Sequence, residues 1–304
     1  MKLRDGVVSA VYSGKYLVRD REGEWVSTLK GKGFQGDSPV VGDQARFVVQ
    51  TDQTGTIQEI LPRRNTLTRR VANRGRRTRA ARPQILAANV DQLIIVAALV
   101  EPPFRPGLVE RFLVAAAMAR ARPLLCLTKL DLAGSNQFEE VVATYPNAFF
   151  PIIGTATSQP ETLQVLADHL KGCTSVFAGH SGVGKTSLIN LLTRQDMAVG
   201  ELGGQQVARG RHTTTTARLI ELESGGSVID SPGIREYGLY GVEPADLARH
   251  YPDFHIFLDQ CGFRDCLHLV EPNCVIREAV EKGELSENRY ESYLALMAEL
   301  EAEK

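Results

Sequence analysis

An eight-residue segment in the second half of the chain constrains its fold more than any other feature. Residues 179–186 read Gly-His-Ser-Gly-Val-Gly-Lys-Thr and fit the phosphate-binding pattern G-x-x-x-x-G-K-[ST]. The largely apolar run 175–178 predicts a buried strand before it, and residues 187–192 predict the first turns of a helix after it. The glycines let backbone N–H groups point at phosphate oxygens, and the helix N-terminus favours the same negative charge. The chain is therefore predicted to bind a nucleoside triphosphate.

The residues of this loop have expected roles in holding the nucleotide. Lys185 is expected to contact the β- and γ-phosphates, which also makes it a candidate catalytic residue, and the Thr186 hydroxyl is expected to bind Mg²⁺. The predicted nucleotide contacts here are Gly179, His180, Ser181, Gly182, Val183, Gly184, Lys185, Thr186 and Ser187. A glycine-rich turn without a ligand is the alternative, and the flanking strand and helix favour the nucleotide site.

A tetrapeptide after an earlier predicted strand indicates which base the nucleotide carries. Thr128, Lys129, Leu130 and Asp131 resemble the guanine-recognition motif [NT]-K-x-D of GTPases. A carboxylate at Asp131 can accept hydrogen bonds from N1–H and the 2-amino group of guanine, whereas adenine offers neither donor there. Lys129 can lie along the base and ribose. A plain β–α turn is the alternative for so short a motif.

A second metal contact is predicted at the end of a later strand. Asp230 begins the sequence Asp-Ser-Pro-Gly and is expected to bind Mg²⁺ through water, with the N–H of Gly233 facing the γ-phosphate. This loop and the segment 200–216 are the predicted switches, which GTP orders and hydrolysis releases. Residues 128–131 precede the phosphate loop by about fifty residues, the reverse of the usual order in GTPases, which indicates a circular permutation.

Composition and charge limit the remaining possibilities. The 304 residues are 43% hydrophobic and 23% charged, ordinary values for a globular protein of two or three domains. The chain has no apolar run long enough to cross a membrane and no apolar core of a secretory signal, so a cytoplasmic protein is expected. The net charge is −1, but residues 63–82 hold nine arginines and no acid, so the rest of the chain carries −10. Such a segment favours an anionic partner, such as nucleic acid, over a solvated face.

The pattern of the sequence divides the chain into four parts. Residues 1–68 contain five short β-rich runs separated by turn residues, which predict an OB-fold β-barrel, with an SH3-like barrel as the alternative. Residues 69–84 are predicted to be an arginine-rich linker. Strands alternate with helices in residues 85–240, which predicts an α/β domain with a mostly parallel sheet. Residues 241–304 predict a small helical domain.

Four potential metal ligands lie close together in the last part. Cys261, Cys266, His268 and Cys274 follow the pattern Cys-x₄-Cys-x-His-x₅-Cys. Three thiolates and an imidazole are a complete tetrahedral set for Zn²⁺, with no open position for catalysis. One structural Zn²⁺ per chain is therefore expected, and free cysteines are the alternative.

The barrel, the permuted nucleotide motifs and the cysteine cluster together resemble the family of small ribosomal subunit-dependent, circularly permuted GTPases. The resemblance covers essentially the whole chain and is carried by residues 88–92, 182–185, 210–214, 230–233 and the cysteine cluster. It implies a GTPase that acts late in the maturation of the small ribosomal subunit. Its expected partners are that subunit and its ribosomal RNA, contacted by the barrel, the arginine segment and the zinc domain, and a monomer is expected.

The resemblance also assigns residues and reveals two departures. It makes Thr214 a second Mg²⁺ ligand and gives His212 the catalytic role of positioning water, with a loop histidine that contacts RNA phosphate as the alternative. Many GTPases use a Gln after D-x-x-G for this purpose, whereas Ile234 stands there in this chain. Thr128 replaces the family's usual Asn, and Gly154-Thr155-Ala156 replaces its usual Ser-Ala contact.

Two other classes of function remain to be separated from this one. The first is an ATP-dependent P-loop enzyme, such as a small-molecule kinase, against which Asp131 argues because adenine gives it no donor. The second is a nucleic-acid-binding module with a degenerate nucleotide site, against which the intact Lys185, Thr186 and Asp230 argue. Competition between GTP and ATP distinguishes the first alternative, and turnover distinguishes the second.

Overall fold

The computed structural model describes residues 3–31, 37–50, 53–70, 83–145, 149–194, 217–230 and 241–302, and its first five strands close into a barrel. These strands are β1 (Leu3–Tyr12), β2 (Lys15–Asp20), β3 (Gly23–Leu29), β4 (Gln44–Val49) and β5 (Thr54–Ile60). They pair in the order β1-β2-β3-β5-β4, β4 pairs back with β1, and β3 is parallel to β5. Val8, Val18, Phe47 and Ile57 are fully buried inside. The predicted OB-fold barrel is confirmed.

A two-stranded ribbon follows the barrel, where the sequence predicts a linker. β6 (Thr66–Arg70) and β7 (Pro83–Ala88) are antiparallel, with Arg69 opposite Gln84. The segment 69–84 therefore differs at both ends from the predicted linker. Leu67 in β6 and Leu86 in β7 are buried, so each strand is anchored by an apolar side chain. The prediction of a linker relied on the many arginines and did not weigh these two leucines. Residues 71–82, with five of the nine arginines, lie outside the described residues.

The next part of the chain alternates strands with helices, as predicted. Its elements are β8 (Gln92–Ala98), α1 (Pro106–Met118), β9 (Arg122–Thr128), α2 (Gln137–Ala143), β10 (Ile152–Gly154), α3 (Pro160–Leu170), β11 (Thr174–Ala178), α4 (Lys185–Thr193), β12 (Arg218–Glu221) and β13 (Ser227–Asp230). The strand order is β10-β9-β8-β11-β13-β12, and all neighbours are parallel except β12 and β13. Helices α1 and α2 cover one face of the sheet, and α3 and α4 cover the other. The carboxyl ends of the parallel strands, where ligands bind in such sheets, therefore share one edge.

Strand β12 has no counterpart in the sequence-based prediction and joins the barrel to this sheet. Its outer side meets β1, where Ala10 lies opposite Arg218. The Arg218 guanidinium donates to the Tyr12 hydroxyl at 3.1 Å, and Arg19 forms an ion pair with Glu221 at 3.3 Å. The barrel and the α/β domain therefore share one eleven-stranded sheet.

The C-terminal part is helical, as predicted, and its buried aromatic residues belong to the same hydrophobic cluster as those of α1. Two 3-10 segments, Pro244–His250 and Pro252–Phe254, lead to α5 (Val275–Glu281) and α6 (Glu287–Ala302). Tyr251, Phe254 and Tyr293 pack against one another with ring centroids 5.0, 5.3 and 5.4 Å apart. All three side chains are fully buried, so apolar packing stabilises this part of the chain in addition to the cysteine cluster.

A buried ion network attaches α6 to α1. The guanidinium of Arg289 on α6 donates to Glu110 on α1 at 2.5 Å and to both carboxylate oxygens of Asp253 at 2.5 and 2.6 Å. Arg289 and Glu110 are buried. A more exposed ion pair, between Arg111 and Glu299, spans the same two helices. Charged groups that face each other therefore add to the apolar packing that joins the C-terminal domain to the α/β domain.

Candidate nucleotide and metal sites

The phosphate loop connects β11 to α4, and its backbone requires glycine. Gly179, Gly182 and Gly184 have φ angles of 151°, 82° and 93°, in a region that residues with a side chain rarely adopt. A Cβ atom at Gly179 would also lie 2.1 Å from the carbonyl oxygen of Val96 on β8. The loop therefore curls tightly against the neighbouring strand, in the strand–loop–helix arrangement that the sequence predicts.

Lys185 begins α4, and its ammonium group reaches back across the loop. Nζ donates to the carbonyl oxygens of Gly179 at 2.7 Å and His180 at 2.6 Å. Thr186 follows in the first turn of α4 and is buried, whereas His180 and Ser181 are exposed. The arrangement places a cation beside a helix N-terminus, and both favour phosphate oxygens.

The predicted guanine motif lies beside the phosphate loop although the two are far apart in sequence. Thr128 ends β9 and is 4% exposed, and its hydroxyl donates to the carbonyl oxygen of Val183 at 2.6 Å. The Lys129 ammonium donates to the carbonyl oxygen of Glu101, on the connection between β8 and α1. The Thr128 hydroxyl therefore fastens one motif to the other, and Glu101 is a support that the sequence patterns do not identify.

Asp131 lies on a 3-10 turn, Leu130–Leu132, and is exposed. Its carboxylate accepts a hydrogen bond from the Ser158 hydroxyl at 2.5 Å. Ser158 is not among the residues predicted from the sequence. Its place in the sequence could have identified it, because Ser158 lies two residues after Gly154-Thr155-Ala156, which replaces the family's usual Ser-Ala contact.

The predicted magnesium contacts are described only in part. Thr186 lies in the first turn of α4, and Asp230 ends β13, the strand next to β11. Because Ile229 lies opposite Val176 in that pair, Asp230 is level with the end of the strand that leads into the phosphate loop. Three predicted residues, together with the switch segment 200–216, lie outside the described residues: His212, Thr214 and Gly233.

The four cysteine and histidine side chains of the C-terminal domain meet at one point. Their ligand atoms all lie within 4.8 Å of one another. His268 Nδ1 is 3.4 Å from the sulfur of Cys274 and 3.6 Å from that of Cys261. A tetrahedral Zn²⁺ with ordinary bond lengths would separate its ligand atoms by about 3.5–3.8 Å. The donor set and its spacing therefore fit a metal ion.

Burial disfavours the charged forms of two thiols of the cluster and of its imidazole. Burial raises the pKa of Cys266 to about 12 and raises that of Cys274, and burial lowers the pKa of His268. At neutral pH the Cys266 and Cys274 thiols and the His268 imidazole would therefore be neutral by themselves. A bound divalent cation would replace the thiol protons and leave the imidazole neutral, as metal coordination requires.

The loop that carries the cluster is held by surrounding side chains. The hydroxyl of Tyr290 donates to the carbonyl oxygen of His268 at 2.6 Å, and that of Tyr293 donates to Leu267 at 2.7 Å. The Glu271 carboxylate accepts from the backbone N–H groups of Leu267 and Leu269, both at 2.8 Å. Helix α6 therefore positions the backbone of the loop through its tyrosines, independently of any metal ion.

Each helix within the described ranges is too short or too polar to cross a membrane.

Comparison with known proteins identifies close relatives along almost the full length. Small ribosomal subunit biogenesis GTPase RsgA of Chlorobaculum parvum is 36% identical over 308 aligned residues, which cover 97% of this chain and 98% of that protein. The protein of the same name from Bacillus cereus is 34% identical, with 99% and 98% covered.

Solved structures agree with these relatives. The crystal structure of YjeQ from Thermotoga maritima matches with a TM-score of 0.79 and 31% identity, covering 98% of this chain and 99% of that one. YloQ, described as a circularly permuted GTPase, matches with a TM-score of 0.77 and 31% identity, covering 100% and 96%.

The family model for the RsgA GTPase matches residues 60–240, which contain the permuted motifs, the ribbon and the phosphate loop. Both solved relatives match the barrel, the α/β domain and the C-terminal domain together. The chain is therefore a GTP hydrolase and belongs to the RsgA GTPase family of circularly permuted GTPases.

Proposed function

We propose that this protein binds the small ribosomal subunit and hydrolyses GTP to GDP and phosphate during late maturation of the subunit. The observation that supports the proposal most directly is the hydrogen bond from Thr128 to Val183, which joins the guanine motif to the phosphate loop. The relatives from Chlorobaculum parvum and Bacillus cereus carry the activity and the subunit in their names. The proposed substrate and partner of this chain rest on that hydrogen bond together with the names of these relatives.

Each group at the strand ends has a role in the proposed reaction. Asp131 selects guanine, and Lys185 holds the β- and γ-phosphates and opposes the charge that develops on the leaving group. Thr186, Thr214 and Asp230 would hold Mg²⁺, which supplies further charge neutralisation at the phosphates. His212 orients the attacking water, and the N–H of Gly233 contacts the γ-phosphate.

The cysteine cluster has a structural role in the proposal. We infer that Cys261, Cys266, His268 and Cys274 bind one Zn²⁺, because three thiolates and an imidazole leave no position for a substrate. The metal would tie the loop before α5 to the aromatic core of the domain. Its contribution is to folding and to the shape of the surface presented to a partner.

The remaining parts of the chain supply the proposed contacts with ribosomal RNA. The barrel (residues 1–68), the arginine-rich segment (69–84) and the C-terminal domain (241–304) bind RNA, while residues 85–240 bind the nucleotide. Nine arginines without an acid between residues 63 and 82 favour contact with phosphate, which releases counterions. We propose that the protein acts as a monomer in the cytoplasm, where the subunit matures.

The central test is GTP turnover by the purified chain with and without purified small ribosomal subunits. Stimulation by the subunit is expected, and equal rates in both conditions would contradict the proposed partner. An ATP-dependent P-loop enzyme is the alternative, and competition of GTP and ATP for one site separates the two.

Base selection has its own test in the Asp131→Asn variant. The amide can donate to the xanthine 2-carbonyl where the carboxylate accepted from guanine, so preference should move from GTP to xanthosine triphosphate. A variant that keeps full GTP affinity in competition would show that Asp131 does not read the base.

A further inference from the structure

The Asp131 carboxylate has a specific partner that the family motifs do not identify. Asp131 is exposed on a short 3-10 turn, where a side chain without a partner samples several rotamers. The Ser158 hydroxyl donates to its Oδ2 atom at 2.5 Å. The hydrogen bond occupies one lone pair of one oxygen and leaves acceptor capacity on both oxygens. The carboxylate is thereby held in one orientation and can still accept from two donors.

The loop that carries Ser158 is itself fixed by three contacts. The N–H of Ala156 donates to the Thr162 hydroxyl at 3.0 Å, and the N–H of Gln159 donates to the Ala156 carbonyl at 3.1 Å. The N–H of Leu130 donates to the Thr155 carbonyl oxygen at 3.2 Å, which joins this loop to the turn of Asp131. Ser158 therefore approaches Asp131 from a backbone whose position is already determined.

A side chain at position 154, at the end of β10, would be crowded by its neighbours. A Cβ atom at Gly154 would lie 3.0 Å from Leu130 Cδ2 and 3.1 Å from Phe138 Cε2. Both atoms end partly buried side chains that pack against the core, so a side chain at position 154 would require them to shift by a few tenths of an ångström. The hydroxyl that contacts Asp131 is accordingly supplied four residues later, from the loop after the strand.

We propose that Ser158 is a positioning residue for base selection, because it aligns the Asp131 carboxylate with the N1–H and 2-amino donors of a guanine base. The inference rests on the proposed role of Asp131. It concerns the discrimination between bases rather than the hydrolysis step. A carboxylate that rotates freely pays an entropic cost on accepting two donors at once, and Ser158 removes part of that cost.

The test measures the affinities of the full-length protein for GTP, inosine triphosphate (ITP) and ATP by competition with a fluorescent nucleotide. Ser158→Ala should weaken GTP by about 3- to 10-fold, the range for loss of one hydrogen bond. ITP lacks the 2-amino group and makes one of the two contacts, so its affinity should fall less and the GTP-to-ITP ratio should shrink. Ser158→Thr keeps the hydroxyl and should restore the ratio, and Ser135→Ala, on the exposed connection after β9, is the matched control.

A double-mutant cycle separates this inference from the proposal on which it rests. In the Asp131→Asn background, Ser158→Ala should cause no further change in the ratio. If Asp131→Asn changes GTP preference while Ser158→Ala behaves like the Ser135 control, the Ser158 inference alone is overturned. Equal losses for GTP, ITP and ATP would assign Ser158 a role in folding and also overturn it. If Asp131→Asn leaves the preference unchanged, the role of Asp131 itself fails.

Discussion

Removal of Arg289 should loosen the contact between the C-terminal domain and α1. Its side chain is 6% exposed, that of Glu110 is 1% exposed and that of Asp253 is 18% exposed, so the three charges are shielded from water. The guanidinium also lies 4.9 Å from the ring centroid of Tyr251. Arg289→Met keeps most of the side-chain volume and leaves two carboxylates without their partner. Breaking a buried pair in this way costs about 3–5 kcal/mol.

The expected loss can be measured as a shift in the thermal midpoint. Each kcal/mol lowers the midpoint by about 2–4 °C in a domain of this size class, so a fall on the order of 10 °C is expected. Circular dichroism at 222 nm suits the measurement because it reports helix content, and α1 and α6 are the two longest helices of the described residues. Arg111→Met is the matched control, since the exposed Arg111–Glu299 pair joins the same helices and should contribute less than about 1 kcal/mol.

The loss should depend on pH in a defined direction. Burial raises the pKa of Glu110, and Arg289 opposes that rise. Without Arg289 the pKa of Glu110 in the folded state rises further above its value in the unfolded state. The folded state then binds the Glu110 proton more tightly than the unfolded state does. The contribution of this proton to the free energy of unfolding is greatest below the pKa of Glu110 in the unfolded state. It is lost as the pH rises through the pKa of Glu110 in the folded state. The deficit of Arg289→Met should therefore be smaller at pH 5 than at pH 8. A variant that matches Arg111→Met at pH 8 would refute this account of the network.

Three further predictions concern the metal, the RNA contacts and the catalytic step. Elemental analysis should find about one Zn²⁺ per chain, and Cys266→Ser should lower that content whereas Cys173→Ser should not; metal-washed protein without zinc would contradict the proposal. Charge reversal of Arg74, Arg76, Arg77 and Arg79 should weaken subunit binding and flatten its salt dependence in a pelleting titration, with basal GTP hydrolysis unchanged; an unaltered salt slope would remove this segment from the RNA contacts. His212→Ala should lower subunit-stimulated turnover by about 10²- to 10⁴-fold at unchanged nucleotide and subunit affinities. Turnover that survives, with weaker subunit binding, would instead make His212 an RNA contact.

The parts of the site that could be predicted are those whose residues lie close together in the sequence, because such residues form recognisable motifs. Residues 179–186 and 128–131 are each consecutive and lie side by side in the structure, and the cysteine cluster spans only residues 261–274. Strand β4 and helix α6 were likewise predictable, because apolar residues occupy every second position in β4 and recur at helical spacing in α6. Residues 212, 214 and 233 remain predictions, because they lie outside the described residues.

The parts that could not be predicted depend on contacts between distant segments. Ser158 and Asp131 are 27 residues apart, and Arg289 and Glu110 are 179 apart. Such pairs leave no periodic signal, because each residue taken alone resembles an ordinary surface serine, acid or arginine. The pairing of β12 with β1 also joins distant segments. Because β12 has only four residues, its sequence does not identify it as a strand without the neighbouring strand.

The shared sheet has a consequence for any truncated form of the protein. Unpaired strand edges can add strands from other molecules, and proteins protect them by shortness or by a cover. One edge of the α/β sheet ends in β10, which has only three residues, and the other ends in β12, which β1 covers. A chain that begins after the barrel would therefore expose the β12 edge to association with other copies. Deleting the barrel should therefore promote self-association of the remaining protein as well as remove the RNA contacts proposed for the barrel. Point substitutions on the barrel surface would separate the two effects.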